Sequence, residues 1–319
     1  MSNLASPLRG IIPPMITPLS SPDTLDVEGT ERLAEHLITG GVQGIFILGS
    51  TGEGPSLAFG LQRQLIETTV QQTSGRVPVF VGITDTCFAN SLALASVATD
   101  LGADAVVASA PCYFQIAQPE LLDYFHKLIA ELPLPLMLYN MPGLTKVSFE
   151  PDTVRQLLQY EKIIGIKDSS GDLSVAVDYV KIVAERPDWT LMTGPEEILA
   201  EAIKIGVQGG VCGGANLFPR LFVDLYEAAV RKDSGQVEML HNAVMQLGKI
   251  LYGVGQYSSA YMKGLKCALS CLEICDDFMA LPLNRFEEQE RLIVKQRMEQ
   301  LAQLDVLGVQ SVMASYSNA

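Results

Sequence analysis

Ile163-Ile164-Gly165-Ile166-Lys167-Asp168-Ser169-Ser170-Gly171-Asp172 opens as a short β-branched apolar run and closes in a polar turn. A run of this length, bounded by turn residues, predicts a buried strand. Lys167 then sits where the strand leaves the core. An ammonium buried without a partner costs roughly several kcal/mol and usually sheds its proton instead. A neutral amine is a nucleophile that can form a Schiff base with a carbonyl. A lysine that merely extends its head group into solvent past the strand end fits the same stretch. Both readings stay open on these ten residues.

Working outward, the same strand-then-turn pattern recurs. Upstream, short apolar runs begin at Gly10 and cover 44–48, 77–81, 105–108 and 136–140. Helical periodicity separates them near 27–39, 59–72, 90–101, 118–131 and 151–159. Downstream come a helix near 173–185, a strand at 190–192, a helix near 196–205, and a last strand with its loop at 209–214. Strands alternating with helices predict a parallel sheet with helices outside. Eight units favour a closed (β/α)8 TIM barrel over an open doubly wound sheet, and no G-x-G-x-x-G follows the first strand. After residue 233 the strands stop. Apolar-periodic segments near 234–251, 257–275 and 285–304 predict a C-terminal three-helix appendage. The expected organisation is a barrel over 1–233 carrying the active site and an appendage over 234–319, with 311–319 fraying.

Composition narrows the function classes. The 319 residues are 48% hydrophobic and 18% charged, as in a globular protein. The formal charge of −14 argues against a nucleic-acid or anionic-membrane surface. No apolar run reaches the roughly 18 residues of a transmembrane helix. The first ten residues carry one arginine and no apolar leader core, so no secretory signal is expected. Six cysteines in so long a chain suit a reducing cytoplasm rather than a disulfide scaffold.

Catalytic groups of such barrels project from the C-terminal ends of the strands. There the sequence offers Ser50 and Thr51 after the second strand, Tyr113 after the fourth, Tyr139 at the fifth and Lys167 at the sixth. Adjacent fifth and sixth strands would set a tyrosine hydroxyl beside a buried amine, where it could move protons for carbonyl chemistry. The small-residue turn Gly49-Ser50-Thr51-Gly52-Glu53-Gly54 offers backbone N–H groups to a carboxylate. Each feature also has a plain structural reading, a core aromatic for Tyr139 and a tight connection for the turn.

Together, Gly49-Ser50-Thr51-Gly52-Glu53, Tyr139-Asn140-Met141-Pro142 and Gly165-Ile166-Lys167-Asp168-Ser169-Ser170-Gly171-Asp172 resemble the three ordered signatures of the N-acetylneuraminate lyase and dihydrodipicolinate synthase family of class I aldolases. The resemblance runs from about Gly10 into the final helices. It implies an imine between Lys167 and pyruvate, an enamine that adds to an aldehyde, and the reverse cleavage of a 4-hydroxy-2-oxo acid. By the same resemblance, Tyr139 shuttles the proton, and Ser50, Thr51 and Gly52 hold the pyruvate carboxylate. Tyr113 completes a hydroxyl relay with Ser50 and Tyr139 from a neighbouring subunit. A homo-oligomer is implied, a tetramer built as a pair of dimers, with no metal and no organic cofactor.

The chain departs from the synthase branch at Leu144, where that branch has an arginine for the second substrate's carboxylate; leucine cannot form a bidentate pair. Gly194, Glu196 and Glu197 sit where the sialic acid lyase branch has its sugar-contact segment, although Glu196 replaces an aspartate and Gly213 a serine. The expected activity is therefore a pyruvate-dependent lyase with the aldehyde open. Dihydrodipicolinate synthesis, with Lys146 replacing the arginine, a sugar-acid dehydratase and a non-enzymatic oxo-acid sensor are the alternatives. Cys267, Cys271 and Cys275, spaced along one expected helix, read as core packing rather than a metal site. His36, His126 and His241 form no cluster.

Overall fold

The computed structural model describes residues 4–303; the expected fraying of 311–319 lies outside them. Eight parallel strands form one sheet: β1 (Gly10–Ile11), β2 (Ile45–Ile47), β3 (Val79–Gly82), β4 (Ala105–Ser109), β5 (Leu136–Asn140), β6 (Ile163–Asp168), β7 (Thr190–Thr193) and β8 (Gly209–Gly210). Neighbours in sequence are neighbours in the sheet from β2 through β8, and β1 pairs with β8. The remaining gap, between β1 and β2, is spanned by a Pro14–Phe46 bridge. There Met15 N–H donates to the Phe46 carbonyl at 2.8 Å, and Phe46 N–H to that of Pro13 at 3.0 Å. The curled sheet is consistent with a (β/α)8 barrel.

Helices follow the strands: α1 (Val27–Thr39), α2 (Phe59–Thr73), α3 (Phe88–Asp100), α4 (Gln118–Glu131), the short α5 (Pro142–Thr145), α6 (Pro151–Leu157), α7 (Leu173–Val183), α8 (Leu199–Ile205) and α9 (Pro219–Arg231). The α1 helix shows why. Asp26 caps it by accepting from Gly29 N–H, and Leu33, Ala34 and Leu37 bury one stripe. Not expected from the sequence were α5, α9 and a small hairpin of Leu19–Ser21 with Thr24–Leu25. The expected helix near 196–205 begins as a 3-10 turn over Glu196–Ile198.

Strand alternation divides the core. Ile45, Ile47, Val79 and Val81 pack with the helices in a large outer cluster. Phe46, Phe80, Val107, Met137, Tyr139 and Met192 belong to a smaller second one. Period-two alternation places that second set on the inner face of the ring. Gly165 lets β6 and β7 approach: a Cβ there would lie 2.1 Å from the Thr190 carbonyl oxygen. Beyond the strands come α10 (Ser234–Leu251), α11 (Ala260–Cys271) and α12 (Glu288–Gln303). Their buried Leu247, Leu251, Leu265 and Val294 join the outer cluster of the barrel. Cys275 lies past the end of α11, so the three cysteines do not share one helix.

Candidate active site

Register builds the centre of the site. In the β5–β6 pair, Tyr139 stands opposite Lys167 and Asn140 opposite Asp168. Alternation turns the first pair inward and the second outward. The outward pair locks the register: Asn140 Nδ2 donates to Asp168 Oδ1 at 2.7 Å, while Asn140 Oδ1 accepts from Phe149 N–H at 3.1 Å. Burial pushes the Asp168 carboxyl up, against the hydrogen bonds from Asn140 and Ser170.

Lys167 is 4% exposed and Tyr139 7%. The amine lies 4.0 Å from the centroid of the Tyr139 ring and 5.2 Å from that of Phe46. Ser50 Oγ is 3.4 Å from the Tyr139 hydroxyl. Burial alone would raise the Tyr139 pKa, but the Lys167 charge and hydrogen bonds with Ser50, Ser169 and Lys167 outweigh it and hold the phenol below its ordinary value. Amine, phenol and hydroxyl thus converge where three strands end.

They face a cleft of about 460 Å³, around which stand Ser50, Thr51, Tyr139, Leu144, Lys167 and Gly194 from the sequence expectations. Ser169, Ser258, Ser259, Tyr261, Met262 and Leu283 complete much of the wall, and none of these was expected from the sequence. Lys167 is the one cationic side chain of this lining among the described residues. Lys146 instead turns its amine back to the Gly143 carbonyl at 2.6 Å and is exposed.

The other expected residues lie elsewhere. Gly52 packs under the loop, its carbonyl accepting from Thr17 Oγ1 at 2.6 Å. Glu196 is buried behind the cleft; Gly214 N–H donates to Oε2 at 2.7 Å and the Tyr252 hydroxyl to Oε1 at 2.8 Å. Burial pushes its pKa up to about 7, against those two hydrogen bonds. Glu197 is exposed and Gly213 is buried under Tyr261. Tyr113 is 88% exposed, at φ +82°, with its ring edge-on to Phe114. Its hydroxyl has no contact with Ser50 within this chain among the described bonds. No group of three or more potential metal-ligating side chains occurs among the described residues.

A buried lysine thus stands beside a tyrosine of lowered pKa at the C-terminal mouth of the curled parallel sheet. Residues 7–301 match the model of the dihydrodipicolinate synthetase family, and the chain belongs to that family. It is a pyruvate-dependent enzyme of the aldolase type. A dihydrodipicolinate synthase structure from Bacteroides thetaiotaomicron superposes with a TM-score of 0.91 at 47% identity, covering 93% of this chain and 100% of that one. A probable 2-dehydro-3-deoxy-D-pentonate aldolase of Escherichia coli K12 is 33% identical over 86% of this chain and 90% of its own length. YagE, a prophage protein of the dihydrodipicolinic acid synthase family from E. coli K12, was solved in complex with pyruvate. It shares 27% identity at a TM-score of 0.86, covering 92% of this chain and 98% of that one.

Proposed function

We propose that the chain cleaves, or forms, a 4-hydroxy-2-oxo acid from pyruvate and a polyhydroxylated aldehyde, as an N-acetylneuraminate lyase or 2-keto-3-deoxy sugar acid aldolase does. The carrying observation is the lining of the cleft, which includes Leu144 and, among the described residues, one cation, Lys167. Lys167 is consumed in the imine. An aldehyde bringing its own carboxylate finds no second cation, whereas uncharged hydroxyls find Thr51, Ser169, Ser258, Ser259 and Tyr261. A second reading, dihydrodipicolinate synthesis, is favoured by the name of the 47% identical structure. The position of Lys146 weighs against it.

In the cleavage direction the Lys167 amine adds to the C2 keto carbon, and the carbinolamine loses water to give the protonated imine. The C3–C4 bond then breaks and its electron pair moves toward the iminium nitrogen, giving an enamine. The C4 hydroxyl gives its proton to the Tyr139 phenolate as the aldehyde forms. Protonation of the enamine at C3 and addition of water release pyruvate and the free amine. The lowered pKa of Tyr139 suits a proton carrier that alternates between base and acid. Ser50 and Thr51 hold the carboxylate.

We further propose a cytoplasmic homo-oligomer, a tetramer of paired dimers, in which Tyr113 extends the Ser50–Tyr139 relay of a neighbour. Its exposure supports this. The division into a barrel over 1–233 and an appendage over 234–319 belongs to the same proposal.

The test is pyruvate with borohydride, followed by peptide mass mapping, and kinetics with a 2-oxo-3-deoxy sugar acid and with aspartate semialdehyde. An adduct on Lys167, lost in Lys167→Ala together with turnover, is expected. The sugar acid should be the better substrate, and Leu144→Arg should raise semialdehyde turnover. An adduct on another lysine overturns the imine assignment. A wild-type preference for the semialdehyde restores the synthase reading.

A further inference from the structure

Gly213 follows β8, and an ideal Cβ built on it would lie 1.5 Å from the Tyr261 hydroxyl oxygen. Tyr261 belongs to the first turn of α11 and reaches back across the end of β8 into the space a side chain at 213 would fill. Its ring is held rather than loose. It packs edge-on against Tyr252 at 4.8 Å, and Tyr252 donates to the buried Glu196, which Gly214 N–H fixes in turn. The Tyr261 hydroxyl stands 3.4 Å from Thr51 Oγ1, at the long limit of a hydrogen bond. A phenol can donate once and accept twice, so this contact leaves capacity unused. The same side chain lines the cleft with Lys167, Ser258 and Ser259.

Resting on the reading above, we propose that Tyr261 is a specificity-determining residue. Its hydroxyl hydrogen-bonds a hydroxyl of the aldehyde portion of the substrate and selects hydroxylated over unsubstituted aldehydes. Gly213 is glycine so that this phenol fits. The support through Tyr252 and Glu196 sets the ring before substrate arrives, so little ordering cost falls on binding. Tyr261 takes no part in forming the imine.

The test uses Tyr261→Phe, which keeps the ring and deletes the hydroxyl. Pyruvate is condensed with glyceraldehyde or with propanal, which has the same carbon chain and no hydroxyls. Borohydride trapping of pyruvate is run in parallel. Wild type should favour glyceraldehyde. In the variant, trapping should be unchanged, kcat/KM for glyceraldehyde should fall about 10- to 30-fold, and that for propanal should stay within about twofold. Gly213→Ser alone should be impaired by the clash, whereas Gly213→Ser with Tyr261→Ala should recover part of the glyceraldehyde preference that Tyr261→Ala loses. Equal losses on both aldehydes, an unchanged ratio, or a wild type indifferent to the hydroxyls overturns the role of Tyr261 while trapping persists. A wild type that traps no pyruvate overturns the aldolase reading and this inference with it.

Discussion

At Tyr139 two opposing effects act on one hydroxyl. Burial favours the neutral phenol, while Lys167 and the hydrogen bonds favour the phenolate, and the second set wins. Tyr139→Phe removes the hydroxyl proposed above as the proton carrier and keeps the ring that packs edge-on against Phe46. We expect kcat to fall about 10²–10⁴-fold, with the melting temperature nearly unchanged; a loss below about threefold would mean another group moves the proton. Glu196 works the opposite way, because burial lifts its pKa from 4.5 to about 7. Between those values the folded chain holds a proton that the unfolded chain has released. The resulting stabilisation is complete below the unfolded value and is lost as pH rises through the folded one. The slope is about 1.4 kcal/mol per pH unit, about 3 kcal/mol in all as an order of magnitude. Glu196→Gln should flatten this slope in urea unfolding measured between about pH 5 and pH 8. An unaltered slope would place the titration elsewhere.

The loop between β2 and α2 is shaped by residues distant in sequence, and here legibility divides. Lys167, Tyr139, Ser50 and Thr51 could be read because each lies at or just past the C-terminal end of a strand and belongs to a local motif. The adjacency of β5 and β6 was legible from strand order, whereas the register that sets Tyr139 opposite Lys167 and Asn140 opposite Asp168 is seen only in the structure. Tyr252, Ser258, Ser259 and Tyr261 could not be read, since their place beside β8 comes from packing of the last helices. Nothing within a few residues of Tyr261 marks it, and its match to Gly213 exists only in three dimensions. The helix α9 carries a helical signal in its sequence, with Pro219 at its first position and Leu221, Phe222, Leu225 and Ala228 buried on one face. Glu53 shows what the same helices do for the motif loop. In a left-handed conformation at φ +57°, it accepts from Ala280 N–H at 2.8 Å and lies 2.5 Å from Lys266 Nζ. That amine also donates to the Phe278 carbonyl at 2.6 Å. Both side chains of the pair are almost wholly buried. Removing one partner strands the other charge, so Lys266→Met should cost about 3–5 kcal/mol. Lys266→Met with Glu53→Gln should cost less than Lys266→Met alone. Urea midpoints of wild type, Lys266→Met, Glu53→Gln and the double variant check this; additive losses would show that the pair is not coupled.

At the scale of the whole molecule, an exposed aromatic pair stands in the loop that follows β4. Tyr113 and Phe114 are 88% and 74% exposed, large aromatic surface that a monomer leaves in water. Tyr113 holds a φ of +82°, a conformation that costs a non-glycine residue of order 1–3 kcal/mol and persists where the surroundings impose it. Ser50 Oγ meanwhile has the Tyr139 hydroxyl as its side-chain partner among the described bonds, and this contact is the relay proposed above. In the proposed oligomer a second copy would bury the aromatic pair and lend Tyr113 to this relay. Such an arrangement predicts complementation. A chain with Tyr113→Phe keeps its own Lys167 but lends no hydroxyl, and a chain with Lys167→Ala lends a hydroxyl but has no amine. Each alone should be strongly impaired. In a mixed dimer, one of the two sites unites an intact Lys167 with an intact Tyr113, and the other has neither. Random mixing gives half the dimers this composition, so co-refolding equal amounts should recover about a quarter of wild-type activity. Sedimentation of the mixture should show oligomers at micromolar protein. Activity no higher than the mean of the two variants, with mixed oligomers demonstrably present, would show that Tyr113 serves its own chain or none.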